Sequence, residues 1–230
     1  MSVRQYQICT KTVMDTSDPD ITFDEQGISN HYYEYQSLAS RLLLPPEERE
    51  KELAKILDSI KTSGKGREYD CVLGLSGGVD SSYMAYLAVS WGLRPLVIHF
   101  DNGWNSELAV GNIESIVKKL NLELETFVID WEEFKDIQIA FLKASVPNVE
   151  VPTDHAIKAS LFKIASERGI KFVLSGSNVV TEGILPKAWG HQADDLRSLR
   201  AIHKRFGKKR LANFPQLGIL KYAYYYYGKG

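Results

Sequence analysis

The stretch VLGLSGGVDSS, residues 72–82, constrains this chain more than any other. A short apolar run enters a Ser-Gly-Gly turn and emerges into DSSYMAYLAVSWGL. By period, the first run is a buried strand and the second a helix that stops near Gly92. Glycines at such a junction permit backbone angles that side chains forbid, and they let amide N–H groups approach an anion closely. The helix beginning near Asp80 adds unpaired N–H groups and the positive end of its dipole. Two readings follow. One is a glycine turn before a helix capped by Asp80; the other is a nest for phosphate oxygens, with Ser76, Ser81 and Ser82 as donors and Asp80 free to hold a metal ion. The strand-then-helix setting favours the nest. The motif is neither Gly-x-x-x-x-Gly-Lys-Ser/Thr nor Gly-x-Gly-x-x-Gly, and the nearby SGKGR is too short and follows no strand.

Beyond the turn, strands and helices alternate. RPLVIHF, LETFVI and KFVLS read as strands, while SELAVGNIESIVKKLN, WEEFKDIQIAFLKAS and TDHAIKASLFKIASERG read as helices. Val110, Ile113, Val117 and Leu120 share one side of the first of these helices. Such alternation predicts an α/β fold with a doubly wound parallel sheet, whose ligands bind beyond the carboxyl ends of the strands near the switch in strand order. Upstream, residues 1–34 are polar and turn-rich, and LLLPPEEREKELAKILDSIKTSGKG predicts a helix with Leu53, Ile56, Leu57 and Ile60 as its apolar stripe. The expected organisation is a small N-terminal extension over residues 1–66 and a nucleotide domain over 67–230.

Composition excludes several classes. A net charge of −1 does not suit a bulk nucleic-acid binder or a membrane-surface protein. The first residues lack the apolar core of a signal peptide, and no apolar run approaches membrane-span length. Two widely separated cysteines, Cys9 and Cys71, point to a reducing, cytoplasmic setting rather than a disulfide framework.

SGGVDSS resembles the PP-loop signature of ATP pyrophosphatases, the adenine nucleotide α-hydrolase-like enzymes. A wider resemblance joins CTKTVMDTSDPDITFDEQGISNHY, HFDNGWNSELAVGNI, PTDHAIKA, LSGSNVVTEGILPKAWG and DDLRSLRAIHKRFG; together these are similar to the N-acetyl sugar amidotransferase family of lipopolysaccharide and surface-glycan biosynthesis. That resemblance implies ATP and Mg²⁺, a UDP-N-acetylated sugar as substrate, and a glutaminase pair resembling imidazole glycerol phosphate synthase as ammonia source. It implies that the acetamido oxygen is adenylated, so that ammonia displaces AMP and leaves an amidine. An amide oxygen is a poor leaving group until this is done.

By position, the resemblance assigns Ser76, Gly77, Gly78, Asp80, Ser81 and Ser82 to the pyrophosphate loop, with Asp80 as the Mg²⁺ ligand and a catalytic residue. His99, Asp101 and Asn102 close the second strand, and Ser175, Gly176 and Asn178 follow the fourth; both sets are expected to contact the nucleotide or to be turn residues. Asp154 and His155 are expected at the substrate, or with Thr153 at a helix cap. Glu182 and Trp189 are further substrate candidates, Trp189 reading equally as a core residue, and Lys187 is a catalytic or phosphate-contacting candidate. DDLRSLRAIHKRFGKKR, with seven Lys or Arg within residues 197–210, is a solvated basic helix, a seat for a sugar-linked diphosphate or acidic partner, or an RNA track.

The chain also departs from the family. Where relatives carry paired Cys-x-x-Cys motifs, this sequence has Cys9, Thr12, Ser29 and Tyr32, with His31 off register, so no zinc is expected. The ending YYYYGKG suggests a C-terminal truncation. Competing functions are a PP-loop enzyme that modifies tRNA, and a nucleotide-binding module that docks a glutaminase. A thiolase needs a positioned cysteine, which neither thiol obviously supplies.

Overall fold

The computed structural model describes residues 4–190 and 193–228; the last two residues of YYYYGKG lie outside that range. The described residues form two compact units. The smaller holds residues up to Glu52 and the segment from Ser177 to residue 190; the larger holds residues 53–176 and those from 193 onward.

The smaller unit contains helix α1 (Asn30–Leu42), where the sequence predicts none. Its one buried side chain is His31, so it lacks the apolar period that would announce it. Ahead of α1 the chain folds through turns, with isolated bridges at Ile8–Asp15 and Phe23–Ser29. Cys9, Met14, Ile21 and Ile28 are buried there, and the buried Asp18 carboxylate lies 2.6 Å from His31 Nε2. Helix α2 (Pro46–Ser63) starts at Pro46 with Glu47 and Glu48 in its first turn, as expected. Ile60 is its buried anchor, but Ile56 is 53% exposed because it falls at the margin of the apolar stripe.

In the larger unit, strands β1 (Cys71–Gly74), β2 (Pro95–Asp101) and β3 (Glu123–Val128) alternate with helices α3 (Val79–Ser90) and α4 (Glu107–Leu120). Helices α5 (Trp131–Ala144) and α6 (Val151–Arg168) then lead to β4 (Val173–Leu174). All pairings are parallel, in the order β3-β2-β1-β4. The fold is therefore the expected doubly wound sheet. The chain winds outward from β1 to β3, then returns to the far side of β1, which makes the β1/β4 crevice the topological switch point.

Alternation along β1 and β2 divides the core. Val72, Leu96 and Ile98 pack on Ile164 and Ala165 of α6, while Leu73 and Val97 pack on Ala85 of α3 and Ile113 of α4. Val110, on the predicted stripe of α4, is 48% exposed. KFVLS contributes only two residues to the ladder. After α7 (Val179–Glu182), which belongs to the smaller unit, the chain re-enters the larger one as α8 (Leu196–Phe206) and α9 (Ile219–Ala223). No helix among the described residues is long and apolar enough to cross a membrane.

Candidate nucleotide site at the switch point

The Ser-Gly-Gly loop leaves β1 at its carboxyl end. Leu75 still donates its N–H to Ile98 O at 2.9 Å, after which the chain turns away. Gly77 has φ +79°, and a Cβ there would lie 2.3 Å from Ala109 O, so the position requires glycine on two counts. Asn112 Nδ2 of α4 donates to Gly77 O at 3.1 Å and fixes the turn from outside. Sequence reasoning missed Asn112, whose role depends on the packing of α3 against α4.

Within the loop the serines organise one another. Ser76 and Ser81 place their Oγ atoms 3.1 Å apart, Ser76 N donates to Ser81 Oγ at 3.3 Å, and Gly78 N donates to Ser76 Oγ at 3.4 Å. Ser82 Oγ donates to Gly78 O at 2.6 Å. Helix α3 begins at Val79 with Gly78 as N-cap and no side-chain cap. Asp80 is therefore one residue inside the helix and does not cap it, which corrects the capped-turn alternative; its carboxylate is exposed at the helix mouth. This leaves an uncapped helix N-terminus beside three hydroxyls, on the switch-point edge of a parallel sheet.

The neighbouring strand ends flank this loop. Gly176, just past β4, stands against it: a Cβ there would lie 2.9 Å from the Asp80 carbonyl carbon. Ser175 is exposed beside it. On the other side His99 is buried, with Nδ1 3.3 Å from Leu75 O and Nε2 3.5 Å from Asn105 Nδ2, which fits the tautomer with its proton on Nδ1. Asp101 Oδ1 accepts from Gly103 N and Asn105 Nδ2, and Asn102 Oδ1 accepts from Trp104 N. Both acceptors shape the loop after β2, as turn residues do.

The remaining candidates are placed elsewhere. Thr153 and His155 are buried inside α6, which starts at Val151, so neither caps it. Thr153 Oγ1 accepts from Gln138 Nε2 at 3.0 Å. His155 has main-chain partners on both ring nitrogens, Ala193 O at 2.6 Å and Leu217 N at 3.0 Å, leaving no nitrogen for a substrate; Asp154 is exposed on the first turn. In the smaller unit, Asn178 Oδ1 accepts from Val180 N while Asn178 N donates to Glu182 Oε2, so the pair caps α7. Lys187 is exposed, and Trp189 Nε1 donates to Ser17 Oγ at 2.9 Å.

The two thiols are both enclosed. Cys71 has no exposed surface, and burial with the neighbouring Asp70 pushes its thiol up to about 12. Cys9 is 5% exposed, and its sulfur accepts from Lys11 N and Ser29 N. Burial pushes that thiol up, but the hydrogen bonds it receives outweigh burial and hold it at about 6. No group of three His, Cys, Asp or Glu among the described residues is arranged to hold a metal ion.

Residues 66–180, half of the 230-residue chain, match the family model described as "Thiamine biosynthesis protein (ThiI)". A tRNA-specific 2-thiouridylase MnmA from Flavobacterium johnsoniae is 30% identical over 121 residues, covering 46% of this chain and 30% of that protein. The match thus spans less than half the length of that relative. Among solved structures, an NMN synthetase from Francisella tularensis aligns at TM-score 0.45 and 20% identity over 76% of this chain and 79% of its own. An NH₃-dependent NAD synthetase from Campylobacter jejuni aligns at TM-score 0.43 and 19% identity, over 68% and 72% respectively.

Proposed function

The chain belongs to the ThiI family of PP-loop ATP pyrophosphatases, and from that premise we propose that it is an ATP-dependent amidotransferase acting on an N-acetylated nucleotide sugar. The observation that carries this reading is the state of the two thiols. A sulfur relay needs an accessible thiolate on the enzyme, and both cysteines of these 230 residues are buried. Ammonia needs no nucleophile from the protein; it needs only an activated oxygen to displace. The sugar substrate, and a glutaminase partner as ammonia source, rest on the family resemblance of the sequence.

In this reading the amides at the mouth of α3 and the hydroxyls of Ser76 and Ser81 hold the departing pyrophosphate. The loop fits phosphate oxygens because Gly77 and Gly78 present main chain where side chains would stand. The exposed Asp80 carboxylate would hold Mg²⁺, which supplies charge neutralisation at the phosphates. His99 keeps the adjoining β2 edge in place through Leu75 O.

RNA modification is the second reading, favoured by the identity to the 2-thiouridylase. One experiment separates the two. The protein is incubated with ATP, Mg²⁺ and ammonium, with each of a panel of UDP-N-acetylated sugars or with bulk tRNA and sulfide, and AMP and pyrophosphate are measured. Sugar-dependent release of both supports the amidotransferase; release that needs tRNA and ignores every sugar overturns it.

A further inference from the structure

Residues between 194 and 221 line a groove of about 720 Å³ to which no PP-loop residue contributes. Arg197 and Arg200 of α8 form one wall, and Gly218 to Lys221 form the other. A second hollow of about 320 Å³ shares Arg200, Gln216 and Lys221 with it and adds Lys163.

Both walls are fixed from below. His155, 2% exposed, donates from Nδ1 to Ala193 O and accepts at Nε2 from Leu217 N, so one imidazole ties the residues just ahead of each wall. The buried Glu133 carboxylate accepts the N–H groups of Asn213 and Phe214, and Asp136 accepts those of Lys208 and Lys209. The groove is therefore a supported feature of the fold.

Its charge is unbalanced toward positive. Asp194 is matched by Lys158 at 2.5 Å, and Asp195 caps α8 through the N–H groups of Arg197 and Ser198. Arg200 Nε donates to Gln216 Oε1 at 2.8 Å, which orients the guanidinium while its two terminal amino groups have no partner among the described residues. Arg197 and Lys221 likewise have no ion-pair partner among them. Leu196, Ile219 and Leu220 give the same groove an apolar side, with Ile219 79% and Leu220 87% exposed.

We propose that this groove is a second phosphate site, which holds the diphosphate of a nucleoside-diphosphate ligand. The Arg200 fork grips phosphate oxygens in pairs, Arg197 and Lys221 flank it, and the apolar side receives the planar base. That this ligand is the acceptor substrate rests on the amidotransferase reading; the affinity for a diphosphate does not.

The test is calorimetric titration of the full chain with UDP, inorganic pyrophosphate and a short RNA, with ATP saturating the PP-loop. The expected result is UDP binding that survives saturating ATP, weakens at least tenfold in Arg200→Gln and returns in part in Arg200→Lys. ATP affinity and Tm should remain as in the wild type in both variants. UDP that fails to bind, binds Arg200→Gln equally well, or is displaced by ATP overturns the proposal. So does Arg200-dependent binding of the RNA without binding of UDP. If UDP binds through Arg200 while no sugar triggers AMP release, the groove stands and the amidotransferase reading falls.

Discussion

The loop after β1 draws its donors from consecutive residues, 76–82, whereas the groove beside α8 takes cations from residues 197, 200 and 221 and supports from residues 133 and 155. The loop presents mainly main chain at Gly77 and Gly78, so what matters there is where a Cβ is absent. The groove is lined by side chains of a return segment, some of whose backbone N–H groups are satisfied by α5 and α6. One region should be most sensitive to added atoms, the other to removed acceptors.

Gly77→Ala attacks the first contrast most directly. It imposes an αL alanine whose Cβ meets Ala109 O. ATP-dependent pyrophosphate release should fall at least about a hundredfold, or about 2.7 kcal/mol; wild-type turnover would show that α4 does not hold the loop. Glu133→Gln probes the second region by replacing one carboxylate oxygen with a donor facing main-chain N–H groups. Urea unfolding should show a loss of about 1–3 kcal/mol, with ATP binding unchanged if the regions are independent.

His155 sharpens the comparison through pH. Burial holds its imidazole below the ordinary histidine value, so the unfolded chain takes up a proton first as pH falls. Stability is thus complete above about 6.5 and is lost as pH drops from there through the lowered folded value. His155→Gln should flatten that slope in a series of melts between pH 7.5 and pH 5, values spanning the ordinary histidine range of about 6.5. A parallel slope in the variant would assign the dependence to other groups.

Asn112→Ala removes one hydrogen bond to Gly77 O. It should cost about 1 kcal/mol in ATP affinity, read as a several-fold weaker Kd, with little change in Tm. Smallest of all, Ile56→Lys on the exposed margin of α2 should stay within about 0.5 kcal/mol of the wild type. A larger loss would mean that α2 buries more than Ile60 and its partly covered neighbours.

The same contrast explains what could be read in the sequence. The β1–loop–α3 unit and the strand–helix alternation were legible because periodicity and turn chemistry are local. Strand order was not, since the β1/β4 pairing joins residues a hundred positions apart along the chain. Asn112 and Glu133 look like ordinary helix-surface polar residues until α4 meets the loop and α5 meets residues 213–214. His155 stood out in the sequence as a substrate contact or part of a helix cap, whereas its partners at 193 and 217 come from the return segment, which no local pattern shows. In α1 only His31 is buried, too little for any periodic signal.

The brevity of β4 sets a rule about length. Its ladder to β1 is two residues long, Val72–Val173 and Leu73–Leu174, and Gly176 must reach Asp80 two positions later. One inserted or deleted residue there would advance the chain by about 3.3 Å and turn the next side chain toward the loop. The spacing from Leu174 to Gly176 is therefore a counted distance. Homologues should accept insertions and deletions after Ser145, where a turn absorbs them, and none across those three residues.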